Sequence, residues 1–293
     1  MPYCLRSYGR NSKNRMMWTN YHSHCTFCDG RGHMEEFIKY AIAKGVKKYG
    51  FSSHAPIPFE THWTMKMDDY DDYVAEFQRL KSKYSDKIEL FIGLEIDFII
   101  GCTNAKMPFF NDKILDYKIG SIHYLDQLAD GTYCSIDGIF KEFYKGMIEL
   151  YDGDIVNVTK RYYEVSKLMV ETGGFDIVGH LDKITLHGAR FADFDINASW
   201  YVDLFADYLQ LIKQKNLIVE INTKSLFEKD MTFPDKHFFP LINDMQIPIT
   251  VNSDCHYPSK VIDGFPETYE ALKKAGFTET YQLIDAVWQP MKF

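Results

Sequence analysis

The chain has 293 residues, 46% hydrophobic and 25% charged, with a formal net charge of −8. This size and composition suit a globular α/β protein with a sizeable core, and α/β barrels reach this length as one unit. The acidic balance, with no Lys/Arg run, excludes the basic footprint of a nucleic-acid partner and favours a small-molecule substrate.

The six cysteines are too scattered for a disulfide framework, which points to a reducing, cytoplasmic setting. No apolar run approaches the ~18 residues of a membrane helix, so no membrane partner is expected. Met1 to Arg15 is basic without an apolar core, unlike a signal peptide. With Met16 or Met17 as an alternative start it becomes a disordered extension, leaving residues 16–293 as a single domain.

Strand-like and helix-like runs alternate along the chain, the pattern of βα units and a parallel sheet. The first strand, Thr19 to Cys25, carries His22 and His24, which share a face because residues two apart on a strand point the same way. Asp29 lies past its end, where a loop can fold the carboxylate back. Cys25 and Cys28 form a C-x-x-C without a second pair, so packing is the expected role. A helix over His33 to Gly45 shows an apolar stripe at Phe37, Ile38, Ala41 and Ile42, acids in its first turn and a closing glycine.

The second strand, Tyr49 to Ser53, delivers His54. A long loop follows, with Trp63, Asp68 and Asp69 as a candidate lid, then a helix over Tyr73 to Tyr84. The third strand, Ile88 to Phe98, carries Glu95; the fourth, Tyr117 to Tyr124, carries His123. Residues 125–157 form an insertion with a helical piece from Ile139 to Tyr151, and another helix spans Thr159 to Thr172. The fifth strand, Asp176 to Leu181, ends in His180. A helix from Ala198 to Lys215 leads to the sixth, Leu217 to Asn222, and one from Asp235 to Met245 leads to the seventh, Pro248 to Asn252, followed by Asp254 and His256. The tail from Pro266 to Gly276 reads as helix.

Nine potential metal ligands thus fall at or beyond C-terminal strand ends: His22, His24, Asp29, His54, Glu95, His123, His180, Asp254 and His256. In barrels that face builds active sites. Any one of them alone is as readily a hydrogen-bonded core histidine or a capping acid; nine together are not. They exceed the needs of one metal, so two or three divalent ions such as zinc, manganese or iron are expected, with Glu95 or an aspartate as a bridge.

These motifs, His22-Ser23-His24 with Asp29, Ser53-His54-Ala55-Pro56, Gly93-Leu94-Glu95-Ile96-Asp97, Ser121-Ile122-His123-Tyr124, Val178-Gly179-His180-Leu181-Asp182 and Asn252-Ser253-Asp254-Cys255-His256, resemble the PHP (polymerase and histidinol phosphatase) superfamily. Within it the likeness is to the monofunctional histidinol-phosphate phosphatases, from about Asn20 to Pro258. The resemblance implies a distorted seven-stranded (β/α)7 barrel of the PHP type, a trinuclear metal centre on the nine residues, and hydrolysis of L-histidinol phosphate in histidine biosynthesis. Two departures stand out: Ser53 where family members often have an acid, and Asp29 where some have a histidine.

Metal-assisted attack of water on phosphorus is the expected chemistry. Asp254, His256 and Glu95 are the catalytic candidates, the first two for relaying a proton to the leaving group; both also count among the ligands, which leaves a bound water as the alternative acid. Phosphate contacts are expected from Arg161, Lys183, Arg190 and Lys224, with Arg161 first because a guanidinium gives bidentate contact; Lys260 is a further candidate. A PHP-type phosphoesterase acting on a nucleotide or phosphotyrosine, and a non-catalytic metal-binding domain, are the competing readings. Oligomeric state is not legible.

Overall fold

The computed structural model describes residues 18–111 and 114–293; the expected extension over residues 1–15 lies outside them. Seven parallel strands carry the fold. They are β1 (Thr19–Asn20), β2 (Lys48–Phe51), β3 (Glu89–Asp97) and β4 (Tyr117–Ser121), then, after a hairpin of β5 (Tyr124–Gln127) and β6 (Tyr133–Ser135), β7 (Ile177–Val178), β8 (Ile218–Asn222) and β9 (Ile249–Asn252). The sheet order is β1-β2-β3-β4-β7-β8-β9. Thus the seven expected strands form one parallel sheet in chain order, as βα units dictate.

The sheet curls into a nearly closed barrel. Residues 89–92 of β3 pair with β2, whereas residues 93–97 pair with β4, so the strand turns the corner at Gly93. A Cβ on Gly50 or Gly93 would run into the Tyr117 ring, and the space they leave lets that ring fill the barrel and its hydroxyl donate to the Tyr21 carbonyl. The two sheet edges meet without a ladder. A single Ser23–Cys255 bridge joins them, helped by Asn20 Nδ2 donating to Ser253 Oγ (2.8 Å) and Asn252 Oδ1 accepting from Tyr21 N–H (2.8 Å).

Helices flank the strands. The first, Met34–Lys44, has a capping box between His33 and Glu36 and ends at Gly45 in the left-handed conformation. Helix Tyr70–Lys83 begins three residues earlier than its apolar spacing predicts, because a 3₁₀ turn over Met67–Asp69 leads into it; Asp68 and Asp69 lie on that turn. Helix Ile155–Thr172 also starts early, capped by Asp154, whose carboxylate accepts from Val156 N–H. The helix expected over residues 235–245 splits into a 3₁₀ turn, Lys236–Phe238, and a short helix, Phe239–Asp244, with Pro240 at its start.

The sequence pattern misses a C-terminal hairpin, β10 (Glu279–Ile284) paired with β11 (Val287–Lys292). Its turn, Asp285-Ala286, takes two positive φ angles, a conformation usually announced by Asn-Gly or Asp-Gly; alanine gives no such signal. The hairpin plugs the bottom of the barrel. Leu283 joins Tyr21, Phe91, Tyr117 and Ile119 in a buried cluster, with Trp288 against it, and Leu283 N–H donates to the Tyr21 hydroxyl (3.0 Å).

Two stability predictions follow from this layout. Leu283→Ala costs about 2–4 kcal/mol, the usual range for a buried leucine, in a denaturation experiment, and leaves metal content intact because it acts at the opposite end from the ligands. Asp182 is fully buried and burial pushes its pKa up to about 8, although its Oδ2 accepts from Asp235 N–H at 2.9 Å. The folded state therefore favours the protonated form. That contribution is complete below the unfolded value of about 3.9 and is lost as pH climbs through about 8. Asp182→Asn keeps the acceptor and removes the titration, so its melting temperature gains on the parent between pH 5 and pH 8; an unchanged difference refutes the assignment.

Candidate metal centre

The carboxylate of Glu95, buried in β3, is the hub of the site. Oε2 lies 2.9 Å from His54 Nδ1, 3.2 Å from His22 Nε2 and 3.6 Å from His24 Nε2. Oε1 lies 2.8 Å from His180 Nε2 and 3.6 Å from His123 Nε2, and accepts from Ser121 Oγ at 2.7 Å. Five histidines from four strand ends, those of β1, β2, β4 and β7, thus meet one acid on β3. Ladder hydrogen bonding in β1 stops at Asn20, yet His22 and His24 still aim at the same carboxylate, as their spacing predicts.

Asp254 forms the second focus, with Oδ1 3.1 Å from His24 Nε2, 3.6 Å from His256 Nδ1 and 3.8 Å from His22 Nε2. Its backbone φ is +46°, and that of His180 is +22°. Few non-glycine residues adopt this region, aspartate and histidine more readily than most, and backbone outliers of this kind cluster where side-chain placement is functional. Asp29 supplies the third focus, its Oδ1 3.2 Å from His256 Nε2 and 3.8 Å from His54 Nε2. A tight turn folds it back: Cys28 and Gly30 N–H groups both donate to the Cys25 carbonyl, and a Cβ on Gly30 would collide with the Cys25 backbone.

All nine sequence-predicted residues therefore converge, eight of them in the sets below and His180 through its Nε2 on Glu95 Oε1. Three sets of ligand atoms are grouped closely enough to hold an ion: His24, Asp29, His54 and His256; His22, His24 and Asp254; and His54, Glu95 and His123. The buried polar atoms test the fit. Nε2 of His22 and His24, Nδ1 of His54, Oδ1 of Asp29 and Oε2 of Glu95 have no hydrogen-bond partner. His54 Nδ1 and Glu95 Oε2 are only 2.9 Å apart and still lack hydrogen-bond alignment. Buried lone pairs facing a shared point rather than each other are the arrangement of ligands around a cation, and the imidazole and carboxylate set suits divalent transition metals.

A second layer holds the ligands. His22 Nδ1–H donates to Glu220 Oε1 at 2.6 Å, which leaves Nε2 as the free ligand atom. Glu220 also accepts from His180 N–H (2.8 Å), Asn222 Nδ2 (3.0 Å) and Asn252 Nδ2 (3.0 Å). His123 Nδ1 is held by Asp97 at 2.8 Å. The sequence reading missed Glu220 and the supporting role of Asp97. The available signal was a lone acid in the otherwise apolar buried strand β8, where an unpaired charge is costly.

Charge is balanced within the cluster. Burial disfavours the His22 cation, but Glu220, Glu95 and Asp254 together raise its pKa well above the ordinary value. Burial, with His256 and His54 alongside, lowers that of His24; burial also lowers His180 and His256. Burial opposes ionisation of Glu95 and Asp254, yet the imidazoles around the first, and Lys224 with His22 around the second, hold both well below the carboxylate range.

The predicted cations divide. Lys224 Nζ lies 3.2 Å from Asp254 Oδ1, and buried Lys183 pairs with Asp137 at 3.2 Å. Asp137, unflagged by the sequence, also approaches His123 Nε2 at 3.7 Å. Arg161 is elsewhere: its guanidinium is bidentate on Asp126 and reaches Glu164, and it lines neither cavity at the barrel mouth. Arg190 lies over the Phe140 ring, 4.5 Å from its centroid, and is likewise outside both cavities. Carboxylate and ring partners on the outer elements satisfy these guanidinium groups first. Lys260 pairs with Glu228 at the rim.

Fold and site together define a parallel βα barrel whose strand ends gather imidazoles and carboxylates for a multinuclear metal centre. The PHP domain pattern matches residues 20–224. The chain belongs to the PHP domain family. It is 26% identical over 269 residues to the histidinol-phosphatase of Lactococcus lactis subsp. lactis, covering 89% of this chain and 92% of that one. A crystal structure of a candidate histidinol phosphatase from Listeria monocytogenes superposes with a TM-score of 0.78 at 25% identity, over 85% of this chain and 99% of that one. The Lactococcus lactis histidinol phosphate phosphatase structure, a complex with zinc, L-histidinol and phosphate, gives 0.74 at 21% identity, over 92% and 98%. Among the described residues no helix is long and apolar enough to cross a membrane.

Glu220 separates support from ligation. Glu220→Gln is expected to weaken metal binding by roughly 10–100-fold, the usual cost of losing the acid behind a ligating histidine, measured by competition with a chelator. Asp29→Ala should remove metal from the outer group; full metal content in that variant excludes Asp29 as a ligand.

Proposed function

We propose that this protein is a metal-dependent phosphomonoesterase that hydrolyses L-histidinol phosphate to L-histidinol and phosphate, a step in histidine biosynthesis. The observation that carries the chemistry is the convergence of nine ligand atoms with the ammonium groups of Lys183 and Lys224 beside them. The substrate assignment is supported by likeness, over most of both chains, to a histidinol-phosphatase.

The proposed ligands are His22, His24, Asp29, His54, Glu95, His123, His180, Asp254 and His256, holding two to three divalent ions. Such ions supply activation of water near neutral pH and neutralise charge on the phosphoryl oxygens. The chain's own groups do the rest. Lys224 faces the cavity beside Asp254, and Lys183 is held on Asp137, so two ammonium groups flank the ligand cluster where a phosphate dianion would be bound. Asn222 donates to Asp254 Oδ2 at 3.1 Å and fixes that carboxylate. Asp254 stays ionised beside Lys224 and His22, so it acts as a ligand and an acceptor rather than as the acid. His256 Nδ1–H donates to the Asp254 carbonyl at 3.1 Å, which leaves Nε2 beside Asp29 as its proposed ligand atom, so the leaving group takes its proton from water in the cavity rather than from this ring.

Phosphate release from L-histidinol phosphate, mononucleotides and phosphotyrosine is the decisive measurement. A kcat/KM for L-histidinol phosphate no better than for the others removes the substrate assignment, and fewer than two metals per chain removes the multinuclear centre. Lys224→Ala is expected to raise KM for the phosphate ester by at least tenfold, the order of a lost charge-assisted contact.

A further inference from the structure

Two cavities open at the barrel mouth, and they differ in character. One, of ≈ 510 Å³, is lined by Arg31, Lys183, Lys224, Lys229 and Lys260, interleaved with the acids Glu228, Asp254 and Asp263. The other, of ≈ 1150 Å³, is walled by Phe59, Trp63, Tyr124 and Tyr133. Asp29, Asp137, Lys224 and His256 line both, so the cavities meet at the ligand cluster. A phosphomonoester lying across that point puts its phosphate beside Lys183 and Lys224 and its alcohol part against the aromatic wall.

The aromatic wall is tied directly to the ligands. The loop after His54 returns so that Met65 N–H donates to the His54 carbonyl (3.1 Å), while Ile136 N–H, just after β6, donates to the His123 carbonyl (3.0 Å). Trp63 sits between these two anchors. Its ring meets His54 edge-on at 4.5 Å and His123 at 5.3 Å, and Nε1–H donates to the Tyr124 hydroxyl at 3.1 Å. Phe59 stacks on Tyr133 at 5.2 Å with planes 20° apart, extending the wall. Loop and hairpin thus form one clasp, and its half-buried rings face a cavity beside the reacting centre. Aromatic side chains recognise flat, unsaturated groups by stacking, and polar groups on the same cavity, here Glu60, Gln127, Glu142 and Lys145, fix orientation.

The geometry points to the Trp63–Tyr124 clasp as the subsite that selects the alcohol part of the substrate, taking a flat aromatic or heteroaromatic ring held against Trp63. This rests on the phosphomonoesterase reading above and assigns the residues that give it specificity.

The test compares esters with and without a ring, phenyl phosphate and L-histidinol phosphate against glycerol phosphate, on Trp63→Ala, Trp63→Leu and Trp63→Phe. Trp63→Ala is expected to lower the ring-to-ringless ratio of kcat/KM by roughly tenfold, mainly through KM, as loss of a stacking partner would. Trp63→Leu keeps bulk against His54 and His123, so it gives the same loss with parental metal content; Trp63→Phe recovers most of it. Calorimetric binding of L-histidinol should weaken in parallel. Equal losses on ring and ringless esters, or an unchanged ratio, overturn the assignment. A parent enzyme that shows no preference for L-histidinol phosphate over phenyl phosphate refutes the substrate proposal alone and leaves the ring comparison standing.

Discussion

The structure depends on a single buried carboxylate. Glu95 sits where five strand ends meet, within 4 Å of five imidazole rings. An acid in that position is tolerated only because cationic or metal partners offset its desolvation. Conversely, a ring of buried imidazoles would scatter without an anion to gather them. Asp254 and Asp29 repeat the arrangement on a smaller scale toward the mouth, so the centre grades from fully buried at Glu95 to partly open at Asp29 and His256.

The barrel separates two incompatible demands. Its lower end is dry, filled by Tyr21, Tyr117 and the C-terminal hairpin, and holds the strands together by packing. Its upper end is polar and strained, with unpartnered lone pairs and positive φ angles at His180 and Asp254. Apolar burial below offsets the cost of the site above. The weakest seam, between β1 and β9, is closed by the side chains of Asn20, Asn252 and Ser253 and by the Ser23–Cys255 backbone bridge, all within two residues of candidate ligands. Closing the barrel and setting His22, His24 and Asp254 are therefore one structural event.

Around this core the insertions set selectivity. The loop after β2 and the hairpin after β4 are not needed to close the sheet, yet each is pinned to a ligand's own carbonyl. A rigid strand end thereby positions a wall of rings on otherwise independent segments, the usual division between scaffold and functional loop. The smaller cavity is built differently, with Lys183 and Lys224 held by carboxylates of the cluster or its margin.

The sequence determined the strand order, the alternation of helices and the nine candidate ligand positions that the fold brings together, because period-two spacing and strand-end placement are local properties that survive folding. His22 and His24 point together for the reason their spacing gives, and Asp29 returns because Gly30 permits the turn. Tertiary structure decided what local pattern cannot encode. On paper Arg161 ranks ahead of Lys224 as the phosphate contact, but Asp126 captures Arg161 and Asp254 draws Lys224 to the site. Glu220 looked like an incidental acid in a strand until folding set it 2.6 Å behind His22. The C-terminal hairpin and the Trp63–Tyr124 clasp join segments far apart in the chain. Pairing of that kind is governed by distance in space and competition among partners, and neither is written in the spacing of residues along one segment.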